Sequence, residues 1–505
     1  MNEIAGRYTI TQPQTDAFAV LSGDYNPLHV DPIHARRLQF GRPVIHGIHH
    51  LLRTWDLTAA RQPALAGRRL TGLRAAFPSP AFVDKPIEYT GNLREGGRKL
   101  DLRALSCGNL ILILSLGLEF GDAVPNSPAT AADARPPREH PFEQTYPTAV
   151  TEGTLPLLLE RGGADELFPT LRRSQPDGLL AQILATTRLV GMINPGLHSI
   201  YSQLRLDFSE EDIAAADTLA WDTRTHDTHV QQLSLGVYGA GMQGVLDAFV
   251  RPRPVAQPGY NEVRAHLQAD DRWPQRALVI GGSRGVGEIT AKLLAAAGAE
   301  VIISYQRGAA DAQRVVEEVR AGGGRCRALQ FDVTATALPE ARPFDGGKAP
   351  THVYYFASPH IDANRSAVWQ DEIFARLSRV YLQAFNQVAT HYAERAGKVT
   401  FFYPSSIYIE QPEPGFAEYA AAKAAGEALC VQLAARHRRA RFVTSRLPRM
   451  ATDQTASIVP LPCESALGVM IRELRALTAT IATLLVVLGA VLGVEGLDQL
   501  VLDAG

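Results

Sequence analysis

Cysteine is scarce in this chain. There are four in 505 residues, Cys107, Cys326, Cys430 and Cys463. Their wide separation excludes a disulfide framework and a metal knuckle alike, and fits a reducing, cytoplasmic compartment. Neither sign of charge dominates: 50 Lys and Arg stand against 52 Asp and Glu, for a net charge of −2. That balance gives no electrostatic reason to expect a nucleic-acid or anionic-membrane partner. The N-terminus, MNEIAGRYTI, lacks the basic region and apolar run of a secretory signal. Histidines gather at 29, 34, 46, 49 and 50, but in no zinc spacing. No metal is expected, and His34, His49 and His50 read as structural or surface residues.

The length suggests about three domains at roughly 100–200 residues each. Residues 1–121 carry an apolar helix-like run to about Ala60. Alternating stretches follow: RLTGLRAAF, DKPIEYTGNL, KLDLRALSCG and LILILSLGLEF. One helix and then a run of strands is the expected order. Residues 122–145, rich in Pro and Ala, read as a linker. Residues 146–256 read as a weak internal repeat, because Leu204-Arg205-Leu206-Asp207-Phe208 echoes Leu73-Arg74-Ala75-Ala76-Phe77. His198 in this half has no carboxylate at a matching spacing and reads as a packing residue. A second Pro-interrupted linker, 251–274, precedes a strand–Gly-rich turn–helix pattern running from about Gln275 to the end.

The chemistry of the first third is concentrated between Phe18 and Gly47. Asp24 and His29 flank an Asn26-Pro27 turn, which Pro27 stiffens. Gly47 opens a second apolar run, IHGIHHLLRTW. Free N–H groups at a helix start suit an oxyanion such as a thioester enolate. Acid, base and oxyanion site are what adding or removing water beside a carbonyl requires. Ser22-Gly23-Asp24, Asn26-Pro27-Leu28-His29 and Ala35, with Phe40-Gly41 and Ile45-His46-Gly47 downstream, resemble the signature of the MaoC-like, (R)-specific enoyl-thioester hydratases. That resemblance implies a hotdog fold, with Asp24 and His29 as the catalytic pair and Asn26 orienting them. The repeat in 146–256 lacks this segment. It is expected to be a degenerate second hotdog that completes the first structurally.

In the last third, Gly281, Gly285 and Gly287 shape a turn through which backbone can approach a dinucleotide pyrophosphate. Ser406, Tyr419 and Lys423 give a second pattern. The i, i+4 spacing puts Tyr419 and Lys423 on one helix face. There a Lys ammonium is expected to lower the phenol pKa so that it can protonate a carbonyl receiving hydride. Together these resemble the short-chain dehydrogenase/reductases, whose sheet is a Rossmann-type, doubly wound parallel α/β fold. The resemblance implies Ser406, Tyr419 and Lys423 as catalytic. It implies cofactor contacts from Ser283, Arg284 and Val286 in the glycine turn, from Asp332 and Val333 after the third strand, and from Ala357, Pro448 and Thr452. Ile280, Phe356-Ala357-Ser358, Tyr381 and Arg449 depart from the family pattern, Tyr381 standing where the family has a structural Asn.

The second strand ends in Ser304, Tyr305 and Arg307 with no acid. Arg307 and Arg284 therefore favour a 2′-phosphate, hence NADPH. The uncharged run Ala476–Val494 is long enough to raise the question of a membrane span. Its place before QLVLDAG, which resembles this family's last strand, makes it a buried helix instead.

Overall, the expected fold is a multidomain chain, an α+β double hotdog followed by a Rossmann domain. The expected function is reduction of a 3-ketoacyl thioester with NADPH and dehydration of the (3R)-hydroxyacyl product to a 2-enoyl thioester. The substrate would ride on coenzyme A or acyl carrier protein, and a homodimer or higher assembly is implied by resemblance alone. Two alternatives stay open: the degradative direction, and an impaired reductase third that serves as a structural module.

Overall fold

The computed structural model describes residues 4–65, 67–120, 133–144, 151–209, 217–361, 363–364, 368–458 and 461–492. They belong to two compact units, Met1–Arg253 with Ser457–Pro460, and Pro254–Ala456 with Leu461–Gly505.

In the first unit a strand β1 (Ile4–Thr9) precedes the helix Gln12–Ser22 and the long helix Gly47–Arg61. The long helix buries Ile48, Leu51, Leu52, Trp55 and Thr58, spaced to form a single apolar stripe. Four strands follow where the alternation places them: β2 (Arg68–Ala76), β3 (Pro86–Arg94), β4 (Lys99–Ser106) and β5 (Asn109–Phe120). Period-two burial is clear in β4, where Leu100, Leu102 and Ala104 face inward.

The same order then repeats: β6 (Glu152–Pro156), the helix Asp177–Arg188, then β7 (Ser199–Phe208), β8 (Thr218–Asp227), β9 (Gln232–Gly239) and β10 (Met242–Val250). The ten strands join in the order β1-β3-β4-β5-β2-β7-β10-β9-β8-β6. Each half thus contributes the same local order, and the halves meet where β2 pairs antiparallel with β7. Arg74 faces Arg205 at the seam, so Leu73 and Leu204 occupy equivalent places on either side. The echo between the two motifs is therefore a local two-fold relation in space. One apolar core runs through both halves.

Helix Asp177–Arg188 is buried at every position from Gly178 onward. An all-round apolar helix needs cover on all sides. The turn that extends this helix, and the residues after it, are tied to a stretch read as linker. Phe142 N donates to Met192 O (2.8 Å), and Leu197 N donates to Phe142 O (2.8 Å). Residues 133–144 thus form a strap held by backbone hydrogen bonds at Phe142 and by side-chain contacts of Asp133, Glu143 and Gln144. These need no hydrophobic periodicity, so composition hid the strap.

The second unit is an all-parallel, six-stranded sheet: β11 (Arg276–Ile280), β12 (Glu300–Tyr305), β13 (Arg325–Gln330), β14 (His352–Tyr355), β15 (Val399–Ser406) and β16 (Ala440–Leu447). Their spatial order is β13-β12-β11-β14-β15-β16. The chain reverses direction across the sheet at β11/β14, the point where such folds bind ligands beyond the strand C-termini. Helix Ala466–Leu492 covers part of the uncharged run. Leu474 and Leu477 near its start are buried. The side chains of 480–492 and the expected last strand, QLVLDAG, lie outside the described residues. Among the described residues no helix is long and apolar enough to cross a membrane.

The shared core makes a prediction. Leu206→Ala, at a fully buried seam position, should cost about 2–5 kcal/mol. Amides in β2–β5 should lose hydrogen-exchange protection together with those in β7–β10. Protection lost from the second half alone would contradict a single cooperative core.

Candidate functional sites

The first site is built around Asp24, which is 1% exposed. Helix Gln12–Ser22 ends at Gly23, which adopts a left-handed conformation (φ 76°) and lets the chain turn inward. Asn26 then caps a short turn of helix, accepting from Leu28 N at 3.1 Å. Its amide donates to three carbonyls of the second half: Gly191 (2.9 Å), Gly196 (3.1 Å) and Leu197 (3.3 Å). Asp24 is held by the same region. Thr187 Oγ1 donates to Asp24 Oδ2 at 2.7 Å, and Asn26 N donates to Oδ1 at 3.2 Å. A Cβ on Gly191 would stand 2.2 Å from Asp24 Oδ1. Glycine is thus required there by close approach. Gly191 lies in a π-helical turn, Leu189–Ile193, that extends the buried helix.

His29 Nδ1 lies 2.6 Å from Val44 O. A carbonyl only accepts, so Nδ1 carries the proton and Nε2 keeps its lone pair. His46 Nε2 donates to Asp24 O at 2.9 Å, and its ring stacks on His29 at 3.8 Å. His46 is also the N-cap of helix Gly47–Arg61 and makes no side-chain capping bond. The first N–H groups of that helix, starting at Gly47, therefore lie beside the acid–base pair. Burial raises the Asp24 carboxyl above its usual range, against the opposing field of His29 and the Thr187 hydrogen bond. Burial lowers the His29 imidazole, against the field of Asp24. Both groups are thus biased toward their neutral forms.

Of the other histidines, His49 and His50 are buried and pushed down to about 3 by burial. His49 stacks on Phe18 at 4.5 Å. His198 does have a carboxylate partner: its Nε2 lies 3.0 Å from Glu143 Oε1, on the strap. The sequence spacing could not show a partner that arrives from 55 residues away.

The second site lies along one edge of the parallel sheet. Gly281, Arg307, Asp332, Ala357 and Pro448 fall just past the ends of β11, β12, β13, β14 and β16, and Ser406 ends β15. Gly281 and Gly285 take positive φ (78° and 58°), and a Cβ on Gly287 would meet Gly281 O at 2.2 Å. The N-cap Arg284 leaves the first turn of helix Gly285–Ala296 without a side-chain cap. Val286 lies in that first turn, and Ser283 is buried just before it. A Cβ on Gly285 would contact Thr452 Cγ2 at 3.7 Å, and one on Gly281 would contact Ala357 N at 2.9 Å. These features fit a dinucleotide phosphate.

Several cofactor residues are already engaged. Arg284 Nη1 lies 3.7 Å from Asp453 Oδ2, so its charge is partly matched. Ser304 Oγ accepts from Gly281 N and is turned under the glycine turn. Asp332, next to the buried Val333, accepts from Thr334 N, Thr334 Oγ1 and Gln306 Nε2. Arg307 is exposed.

Ser406 and Tyr419 are hydrogen-bonded through their side chains, and helix Ala417–Arg436 carries Tyr419 and Lys423 on one face. The expected lowering of the phenol is not what the structure shows. Burial pushes Tyr419 up to about 12, with the Ser406 hydrogen bond opposing. Burial also pushes Lys423 down to about 7. The reason is placement: Lys423 Nζ donates to Pro404 O at 2.7 Å and sits 3.9 Å from the Tyr381 ring centroid, against 5.9 Å for Tyr419. Tyr381, in the π-helical stretch Arg379–Ala384, donates to Ser358 Oγ at 2.6 Å, because Ser358 Oγ itself donates to Pro359 O.

The MaoC like domain family matches residues 3–100, and the short chain dehydrogenase family matches residues 275–341. An (R)-specific enoyl-CoA hydratase of Aeromonas caviae is 43% identical over 78 residues, covering 14% of this chain and 52% of that protein. A hydroxynaphthalene reductase of Aspergillus fumigatus is 34% identical over 173 residues, covering 32% of this chain and 59% of that one. A 3-oxoacyl-[acyl-carrier-protein] reductase of Synechocystis is 46% identical over 59 residues, covering 12% and 24%. The chain spans less than two thirds of the length of each of these relatives. A short chain dehydrogenase of Burkholderia cenocepacia, solved with NADP, aligns with a TM-score of 0.35 at 24% identity, covering 39% of this chain and 87% of that one. The chain therefore carries a MaoC-like dehydratase domain at its N-terminus and a short-chain dehydrogenase domain later.

Two outcomes test the geometry. Thr187→Val deletes a hydrogen bond to a carboxylate, a contact of about 1.5–3 kcal/mol, so enoyl-thioester hydration should fall roughly 10- to 100-fold. Wild-type turnover in that variant would show that the Thr187 hydrogen bond does not support catalysis. Arg307→Ala should raise the dissociation constant for NADPH about tenfold, the effect of one charge-assisted contact. The constant for NADH should not move. Fluorescence titration separates the two, and equal shifts would refute a phosphate contact.

Proposed function

We propose that the chain is a bifunctional enzyme: it reduces a 3-ketoacyl thioester with NADPH and dehydrates the (3R)-hydroxyacyl product to the 2-enoyl thioester. The observation that carries this reading is the pairing of an acid–base couple, buried Asp24 and half-buried His29, with a Ser406–Tyr419–Lys423 set on one chain. The product of the second set is the substrate of the first. The hydratase and 3-oxoacyl reductase among the relatives support thioester chemistry at both.

In dehydration, His29 Nε2 takes the C2 proton, since its Nδ1 proton is committed to Val44. Asp24, biased by burial toward its neutral form, gives its proton to the 3-hydroxyl. The C2–H and C3–O bonds break, water leaves, and the C2=C3 bond forms. The helix N-terminus at Gly47 holds the thioester oxygen as charge develops. A proton passing from His29 back to Asp24 resets the pair. In reduction, NADPH supplies the hydride when bound. Gly281, Gly285 and Gly287 let backbone approach its phosphates, Ser406 holds the carbonyl oxygen, and Tyr419 Oη gives the proton.

A phenol at about 12 gives up its proton less readily than one activated by a nearby ammonium. This favours, as a second reading, a slow or structural reductase third.

One experiment separates them. Given a 3-ketoacyl thioester and NADPH, the intact protein should release enoyl thioester. Asp24→Asn should stop at the 3-hydroxyacyl stage, about 10²–10⁴-fold slower in dehydration, while still consuming NADPH. Tyr419→Phe should block NADPH consumption yet dehydrate supplied (3R)-hydroxyacyl thioester, and leave the (3S) isomer untouched. No NADPH consumption by the intact protein, alongside normal dehydration, would establish the second reading.

A further inference from the structure

Arg251 follows β10 directly and is 2% exposed. Its backbone N donates to His198 O at 2.7 Å. Its Nη2 donates to Leu197 O, the carbonyl that Asn26 Nδ2 also reaches, at 3.3 Å. The guanidinium is therefore two hydrogen bonds from the residue that holds the Asp24–His29 turn. Its Nε and Nη1 have no partner among the described residues.

Among the described residues no carboxylate pairs with this charge. Burial pushes Arg251 down to about 10, and no carboxylate opposes that shift. Glu143, the acid in the same corner, is committed to His198 (3.0 Å) and Arg253 (3.2 Å). The neighbouring imidazoles, His29, His34 and His198, all feel Arg251 as a like charge. An unpaired buried cation costs several kcal/mol. Such a residue within electrostatic reach of His29 is a candidate for binding an arriving anion. Nε and Nη1 each share an edge of the planar guanidinium with Nη2, whose second hydrogen Leu197 O does not use, and such an edge matches a carboxylate or a phosphate.

Position distinguishes these two anions. In a carrier-bound thioester the phosphates lie at the far end of the pantetheine arm from the reacting carbons. Arg251 is within electrostatic reach of His29, the base of the pair, and so belongs to the reacting end. We propose that Arg251 is the anion-recognising residue of the hydratase site, and that the thioester this site takes bears a carboxylate on its acyl part. The proposal rests on the hydratase reading given above and narrows its substrate class.

The test compares kcat/KM for hydration of crotonyl thioester with that for the monothioesters of fumaric and glutaconic acid. Each is made on coenzyme A and on N-acetylcysteamine, which has no phosphate. The wild type should prefer at least one carboxylated substrate over crotonyl by tenfold or more, on both carriers. Arg251→Met should reduce that preference at least tenfold. Arg251→Lys keeps the charge without the fork. It should lose part of the preference, and it serves if the Met variant fails to fold.

A preference ratio unchanged in both variants, with all rates lowered alike, would make Arg251 a positioning residue for Asn26 and overturn the proposal. So would a wild type that prefers crotonyl. A loss confined to coenzyme A thioesters would place the carrier's phosphate there instead, and likewise overturn it. Hydration of crotonyl without any carboxylate preference defeats this inference alone. A wild type inert toward every thioester defeats the hydratase reading with it.

Discussion

The buried Asp24 carboxyl is the constraint on which the first unit depends. A carboxyl group this deep needs hydrogen-bond donors, and its own turn supplies only the Asn26 backbone N–H. The side-chain donor, Thr187, comes from the second half, and Gly191 leaves the room for it. Asn26 reaches across in the other direction, to three carbonyls of the π-helical turn and the residues after it. The two halves are thus tied by polar contacts at the site, as well as by the β2–β7 seam and the common apolar core. The second half, which carries no acid–turn–imidazole segment, supplies Thr187 and Gly191 to the first half's site.

Burial sets the electrostatics of both units, with different results. In the first unit it moves Asp24 and His29 in opposite directions, so that one can hold a proton while the other accepts one. In the second unit it works against the expected activation of Tyr419, and Lys423, which donates to Pro404 O, lies nearer the Tyr381 ring than the Tyr419 ring. Tyr381 occupies the place where the resembling family has a structural Asn. An aromatic face there can attract an ammonium, but its hydroxyl is committed to Ser358. The departure from the family pattern is therefore one of chemistry as well as shape.

Much of this arrangement was legible in the sequence wherever the relevant residues are close along the chain. Asp24, Asn26 and His29 sit on one turn, and Tyr419 and Lys423 one helical turn apart. Strand alternation located β2 to β5. The glycines at 281, 285 and 287 marked a turn that the backbone conformation does demand. Other features were not legible. Thr187 and Gly191 belong to an apolar helix and its π-helical extension, with nothing local to mark them. Glu143 lay in a Pro-rich stretch read as linker, and Arg251 at the start of another. Arg284 looked available for a phosphate until Asp453 was found 3.7 Å away.

The sequence by itself determined which local units form. Period-two alternation, i, i+4 spacing, and positions for Gly and Pro are short-range rules that each segment obeys alone. It also determined which reactive side chains each unit carries. Only the tertiary structure decided how those side chains are charged and what they touch. Solvation and hydrogen bonding depend on groups that arrive from more than a hundred residues away, as Thr187 and Leu197 do at Asp24 and Asn26. A buried guanidinium whose Nε and Nη1 find no partner among the described residues is likewise a fact of packing, because residue type and spacing carry no information about which charges share an interior.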